Sequence, residues 1–104
     1  MIRHVVMFRW KPDFEESRRR EWYDRLLELP GKIDVIRSLS AGPDVLRSGR
    51  SWDVVLVADF DSLEDVGVYT DHPDHQPLIA LSGAGAAQIA SVDFEIPEPP
   101  GSIA

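Results

Sequence analysis

The chain reads as an α+β subunit of ferredoxin-like type, strand, helix, strand, strand, helix, strand, and three observations carry that reading. Period-two alternation marks Ile2 to Trp10, Trp52 to Phe60 and Ile89 to Ile96 as strands. Helix start and stop signals frame two segments between them, one ending at Pro30-Gly31 and one broken at Pro73. The arrangement that accommodates this order is an antiparallel sheet with its helices on one side.

The first strand places Ile2, His4, Val6, Phe8 and Trp10 on one face and Arg3, Val5, Met7 and Arg9 on the other. Both faces are apolar in the middle, so both are expected to be covered. Lys11-Pro12 ends it. Asp13 and Glu16 stand at capping-box spacing, predicting a helix to about Leu29 with Phe14, Trp22, Leu26 and Leu29 buried. Lys32 to Ser40 is a less regular strand candidate built on Ile33, Val35 and Ile36, followed by a bulge or turn at Ala41-Gly42-Pro43-Asp44. Leu46 to Arg50 reads as an exposed connection. The third strand sets Trp52, Val54, Leu56, Ala58 and Phe60 against Val55 and Val57, again apolar on both sides.

Ser62 is an N-cap for the second helix, with Asp65 at the capping-box position and Leu63, Val66 and Tyr69 or Thr70 turned inward. Pro73 disfavours a helical His72, so this helix should stop near Asp71 and a new one start with Pro73 at its first position. That makes His72-Pro73-Asp74-His75 a corner. Leu78, Ile79 and Leu81 would be buried beyond it, and the helix should fade in Ser82-Gly83-Ala84-Gly85. The last strand alternates Ala90, Val92, Phe94 and Ile96 against Ser91, Asp93 and Glu95. Residues 1–96 then form one domain, and 97–104, with three prolines and a glycine, an extended or disordered tail.

Composition limits what such a fold can do. The 104 residues suffice for one modest core, and 43% hydrophobic with 28% charged residues is the balance of a globular domain. No apolar run approaches the roughly 20 residues of a membrane span, and the start does not read as a signal peptide, so a cytoplasmic protein is expected. Without cysteine there is no disulfide and no thiolate nucleophile. A net charge of −7 argues against nucleic acid and anionic membrane as partners, and the basic run Arg18 to Arg20 reads as a solvated helix face. Helices can cover only one side of the sheet, so the other apolar face predicts a homodimer with two sheets packed together.

The groups that can exchange protons near neutrality concentrate between Asp61 and Leu81: Tyr69, His72 and His75, with Asp71 and Asp74 among them. On a straight helix Tyr69 and His75 would point about 240° apart, so only a corner at Pro73 could bring them together. Each also has a structural reading, tying the corner or capping a helix. His72 and His75 with their aspartates show no zinc-protease spacing, and no metal is expected.

The segments IRHVVMFRWK, LPGKIDVIRSLSAGPDV, WDVVLVADFDSLEDVGVYTDHPDHQPL and SVDFEI together resemble the stress-responsive dimeric α+β barrel, or Dabb, domain family, the Tyr-x-x-His-Pro-x-His string being the most specific part. The resemblance implies paired ferredoxin-like sheets forming a barrel with helices outside. The family includes a plant polyketide cyclase that closes a ring by intramolecular aldol condensation, and by its pattern Tyr69 and His75 would be catalytic. A small-molecule substrate would be held by His4, Val6, Phe8, Val54, Leu56, Trp22, Tyr23 and His72, with no cofactor. A non-catalytic stress-responsive dimer, structural or ligand-binding, is the alternative; a haem- or oxygen-dependent reaction is a third.

Overall fold

The computed structural model describes residues 1–97; the expected tail, apart from residue 97, lies outside them. Four strands form one antiparallel sheet: β1 (Ile2–Trp10), β2 (Ser38–Pro43), β3 (Val54–Phe60) and β4 (Ala86–Glu95), in the order β2-β3-β1-β4. The helices are α1 (Glu16–Glu28), α2 (Leu63–Asp71) and α3 (Gln76–Gly85), with short 3-10 turns at Leu29–Gly31 and Pro73–His75. This is the ferredoxin-like α+β fold, with the helical extension after the corner forming a third helix.

Register sorts the two faces of the sheet. Val6 opposes Leu56, and Phe8 opposes Val54, so the side chains that alternate toward the helices on β1 meet those of β3. They close on Trp22, Leu26, Leu29, Tyr69, Leu78 and Leu81, all nearly inaccessible to solvent. On the opposite face Val5 is flanked by Val57 and Val92, and Met7 by Val55 and Ala90. No helix of the described residues covers that side. Met7, Val92 and Phe94 are left exposed there, an apolar surface bounded by the bidentate pair of Arg3 with the Asp59 carboxylate.

Several element boundaries depart from the sequence reading, each for an identifiable reason. Lys32 to Arg37 is not strand: the Ile33 amide bonds the Leu29 carbonyl and the Ile36 amide the Ile33 carbonyl, so a pair of turns carries both isoleucines into the core at helical spacing. The second strand instead runs through Ala41, Gly42 and Pro43, the segment expected to turn. Proline is tolerated because β2 is a sheet edge, where one ladder donor can be lost. Asp13 does not cap α1, whose N-cap is Glu15 without a side-chain bond. Ser62 does cap α2, its hydroxyl accepting the Asp65 amide, but Leu63 and Thr70 face solvent and Tyr69 alone in that helix is fully buried. Ile79 is likewise exposed. The helix α3 persists through Gly83 to Gly85, and β4 starts at Ala86, three residues earlier than the alternation suggested.

Candidate active site

The corner forms where the local chemistry dictates. His72 is extended, with φ −61° and ψ 136°, the conformation a following proline imposes, and α2 stops at Asp71. Pro73 opens the 3-10 turn, and the chain re-enters a helix at Gln76. The reversal lays the His75 imidazole over the Tyr69 ring, with centroids 4.2 Å apart and planes 28° from parallel. Six positions that would diverge on one helix are thus stacked.

From the sheet, His4 joins them. Its ring stands edge-on to Tyr69 at 5.9 Å, and Phe60 packs against both at 6.3 and 5.3 Å. His4 and Asp93 are register partners on β1 and β4, and the His4 Nδ1 lies 2.6 Å from the Asp93 carboxylate. Sequence alternation set Asp93 on a polar face with Ser91 and Glu95; its link to His4 depends on the strand register, which no local pattern reveals.

Hydrogen bonds assign the protons. The His75 Nδ1 is 3.2 Å from the Thr70 carbonyl, which can only accept, so Nδ1 carries the hydrogen and Nε2 holds a free lone pair. The same argument puts the His4 hydrogen on the Nδ1 facing Asp93. His72 is a cap: its Nδ1 accepts the Asp74 amide at 3.1 Å. Gln76 clamps the corner by donating to the carbonyls of Thr70 and His72.

Burial tunes two of these groups in opposite directions. Loss of solvent pushes the Tyr69 phenol up to about 12, so it stays protonated and able to donate. For His75 desolvation lowers the pKa below its usual 6.5, with the nearby His4 acting the same way, against the raising effect of the Thr70 carbonyl bond. Asp71 and Asp74, the acids of the same cluster, do not figure among the causes. The position of His75, immediately before the first turn of α3, also disfavours an added positive charge.

The remaining residues expected to bind a ligand lie elsewhere on the same side of the sheet. Val6, Phe8 and Leu56 are core, each less than a tenth exposed. Trp22, Tyr23 and Val54 line an open cavity of about 670 Å³ beyond the other end of this row of core side chains. A second cavity of about 440 Å³ lies between the end of α1 and the corner, lined by Arg25, Lys32, Asp74 and Leu78. Neither is lined by Tyr69, His75 or His4. Among the described residues no group of three or more His, Asp or Glu side chains is disposed to hold a metal ion, and no helix is long and apolar enough to cross a membrane.

Residues 2–96 match the family model of the stress responsive A/B barrel domain. The chain belongs to the Dabb family. Within it, the chain is 27% identical to a stress-response A/B barrel domain-containing protein of Arabidopsis thaliana, aligning over its whole length but spanning only 40% of that relative. It is 21% identical to the olivetolic acid cyclase of Cannabis sativa, over 71% of this chain and 75% of the cyclase. A crystal structure of a dimeric ferredoxin-like protein of unknown function from Thermobifida fusca superposes with a TM-score of 0.83 at 28% identity, covering 91% of this chain and 90% of that one.

Proposed function

We propose that this Dabb domain is a small acid–base enzyme that acts on a polyketide-like or β-dicarbonyl compound by aldol-type cyclisation or isomerisation, working as a homodimer and without a cofactor. The stacked pair of a neutral His75 and a protonated Tyr69 is the observation that carries this reading. Such chemistry needs a base for the proton on the carbon between two carbonyls and a donor for the oxygen on which charge then grows. His75 Nε2 is the base. The Tyr69 hydroxyl donates to the enolate oxygen, and the enolate carbon attacks a second carbonyl of the same substrate. The carbon–carbon bond forms as that carbonyl becomes an alkoxide, which takes up the proton His75 removed. The relationship to a cyclase that bears the name of a polyketide product supports the substrate class.

The uncovered sheet face supports the homodimer. Val5, Met7, Val55, Val57, Ala90, Val92 and Phe94 form one apolar surface there, and the Thermobifida relative is described as dimeric.

Turnover of a linear poly-β-ketone, followed by chromatography of cyclised products, tests the proposal. His75→Ala should abolish product while the melting temperature stays within a few degrees, because the imidazole is only part-buried and one backbone bond is lost.

A second reading, a non-catalytic ligand-binding or structural dimer, is favoured by two specific observations. The His75 and Gln76 side chains both bond the Thr70 carbonyl, as corner ties would, and neither described cavity reaches the imidazole. Under that reading His75→Ala lowers the melting temperature markedly and wild type shows no turnover.

A further inference from the structure

The Thr70 carbonyl, in the last turn of α2, is denied its usual backbone partners. Pro73, three positions on, has no N–H to offer, and the Asp74 amide, four positions on, is taken by the His72 ring. Two side chains stand in for them. The His75 Nδ1 lies 3.2 Å from the Thr70 oxygen and the Gln76 Nε2 3.1 Å from it, and because a carbonyl only accepts, both donate.

Gln76 also spans the break in the helix. It is the first residue of α3, and the same amide nitrogen lies 3.3 Å from the His72 carbonyl, so one side chain joins the start of α3 to the end of α2 and to the corner between them. Gln76 is exposed. Its replacement therefore removes these bonds without opening the core.

Sharing one carbonyl has a chemical consequence. A proton arriving at Nε2 makes His75 an imidazolium, whose Nδ1–H is a stronger donor than that of the neutral ring, so a good acceptor at Nδ1 favours the protonated form. A carbonyl already engaged by Gln76 is a poorer acceptor. The titratable groups that face the ring from other elements are Tyr69 on α2, His4 on β1 with Asp93 behind it, and His72 in the corner. Among the described residues none of these bonds the Thr70 oxygen, and Gln76 alone competes with His75 for it.

We infer that Gln76 is a positioning residue for His75: it braces the corner that stacks the imidazole on Tyr69 and, by holding part of the Thr70 carbonyl, limits how readily Nε2 takes up a proton. Its bearing on turnover rests on the reading of His75 as the base; the shared carbonyl does not.

Gln76→Met keeps nearly the length of the side chain and removes its donor. The His75 ring proton, assigned by its loss in His75→Ala, is followed by NMR through a pH titration of the full-length wild type and variant. The midpoint should rise in Gln76→Met by about half a pH unit, a fraction of one hydrogen bond. Gln76→Ala should give the same rise, which separates the lost bonds from any effect of the methionine and stands in for it if that variant is poorly folded. A purely structural Gln76 would instead lower the melting temperature and leave the midpoint where it is in wild type; an unmoved or lowered midpoint overturns the inference. The acid limb of deuterium exchange into a β-ketoester should follow the same displacement. A raised midpoint in a protein whose wild type does not accelerate that exchange would support the role of Gln76 and contradict His75 as the base, so the two failures are distinguishable.

Discussion

At the scale of single residues, the two groups that define the candidate site are held in complementary protonation states by the same cause. Burial keeps the Tyr69 phenol protonated to about pH 12 and keeps His75 neutral to a pH below 6.5. If His75 is the base, the turnover rate should rise with pH through a single ionisation below 6.5 and then stay level, with no alkaline limb from Tyr69 in the ordinary range near pH 10. Tyr69→Phe should preserve this profile while lowering its plateau by roughly 10² to 10³, the usual cost of one oxyanion donor. A midpoint at or above 6.5 would count against the assignment. The same shift bears on stability. Between the folded-state pKa and 6.5 the unfolded chain binds more protons at His75 than the folded one, so this group makes the fold less stable as pH falls through that window. The residues of this site were legible in the sequence as a titratable cluster, but the Asp93 contact to His4 was not, because the two are 89 positions apart and meet only through strand register.

At the scale of elements, strong local chemistry was readable and weak local chemistry was not. The Ser62 cap, the stop at Asp71 and the extended His72 before Pro73 all follow from side-chain and backbone rules that act within a few residues. The second strand escaped because Ser38, Ser40, Gly42 and Pro43 have little strand preference of their own; pairing with β3 decides their conformation. The apolar Ile33 and Ile36 drew attention to the segment before it, where turns bury them instead. The end of α3 shows a similar tertiary effect. Gly85 looked like a place for the helix to fray, yet it is buried where α3 passes Phe14, and its carbonyl accepts the Lys11 amide at 2.7 Å. A Cβ at Gly85 would lie 2.5 Å from the Phe14 ring, which is itself wedged against Trp10. Gly85→Ala should therefore destabilise the domain by about 1–3 kcal/mol, the usual cost of overpacking. Urea unfolding monitored by tryptophan fluorescence would measure it, and an unchanged midpoint would show that Phe14 can yield.

At the scale of the whole molecule, the ferredoxin-like fold with helices on one side was readable from the succession of strand and helix signals, and the apolar character of both sheet faces from the alternation of β1 and β3. The uncovered face requires either water on Val5, Val57, Val92 and Phe94 or a second copy, and the second is proposed. Val57→Glu, at the centre of that face, should convert the dimer to a monomer in sedimentation velocity, whereas Ile79→Glu, exposed on α3, should leave it intact. Dimerisation on the sheet side leaves the helix-side corner free to work, so chemistry at His75 can be tested by itself. The most direct test is deuterium wash-in at the carbon between the carbonyls of a linear β-ketoester in heavy water, followed by proton NMR, because it reports proton abstraction without requiring the natural substrate or ring closure. Wild-type protein should accelerate the exchange and His75→Ala should return it to the uncatalysed rate; equal rates in the two proteins would contradict the assignment of His75 as the base.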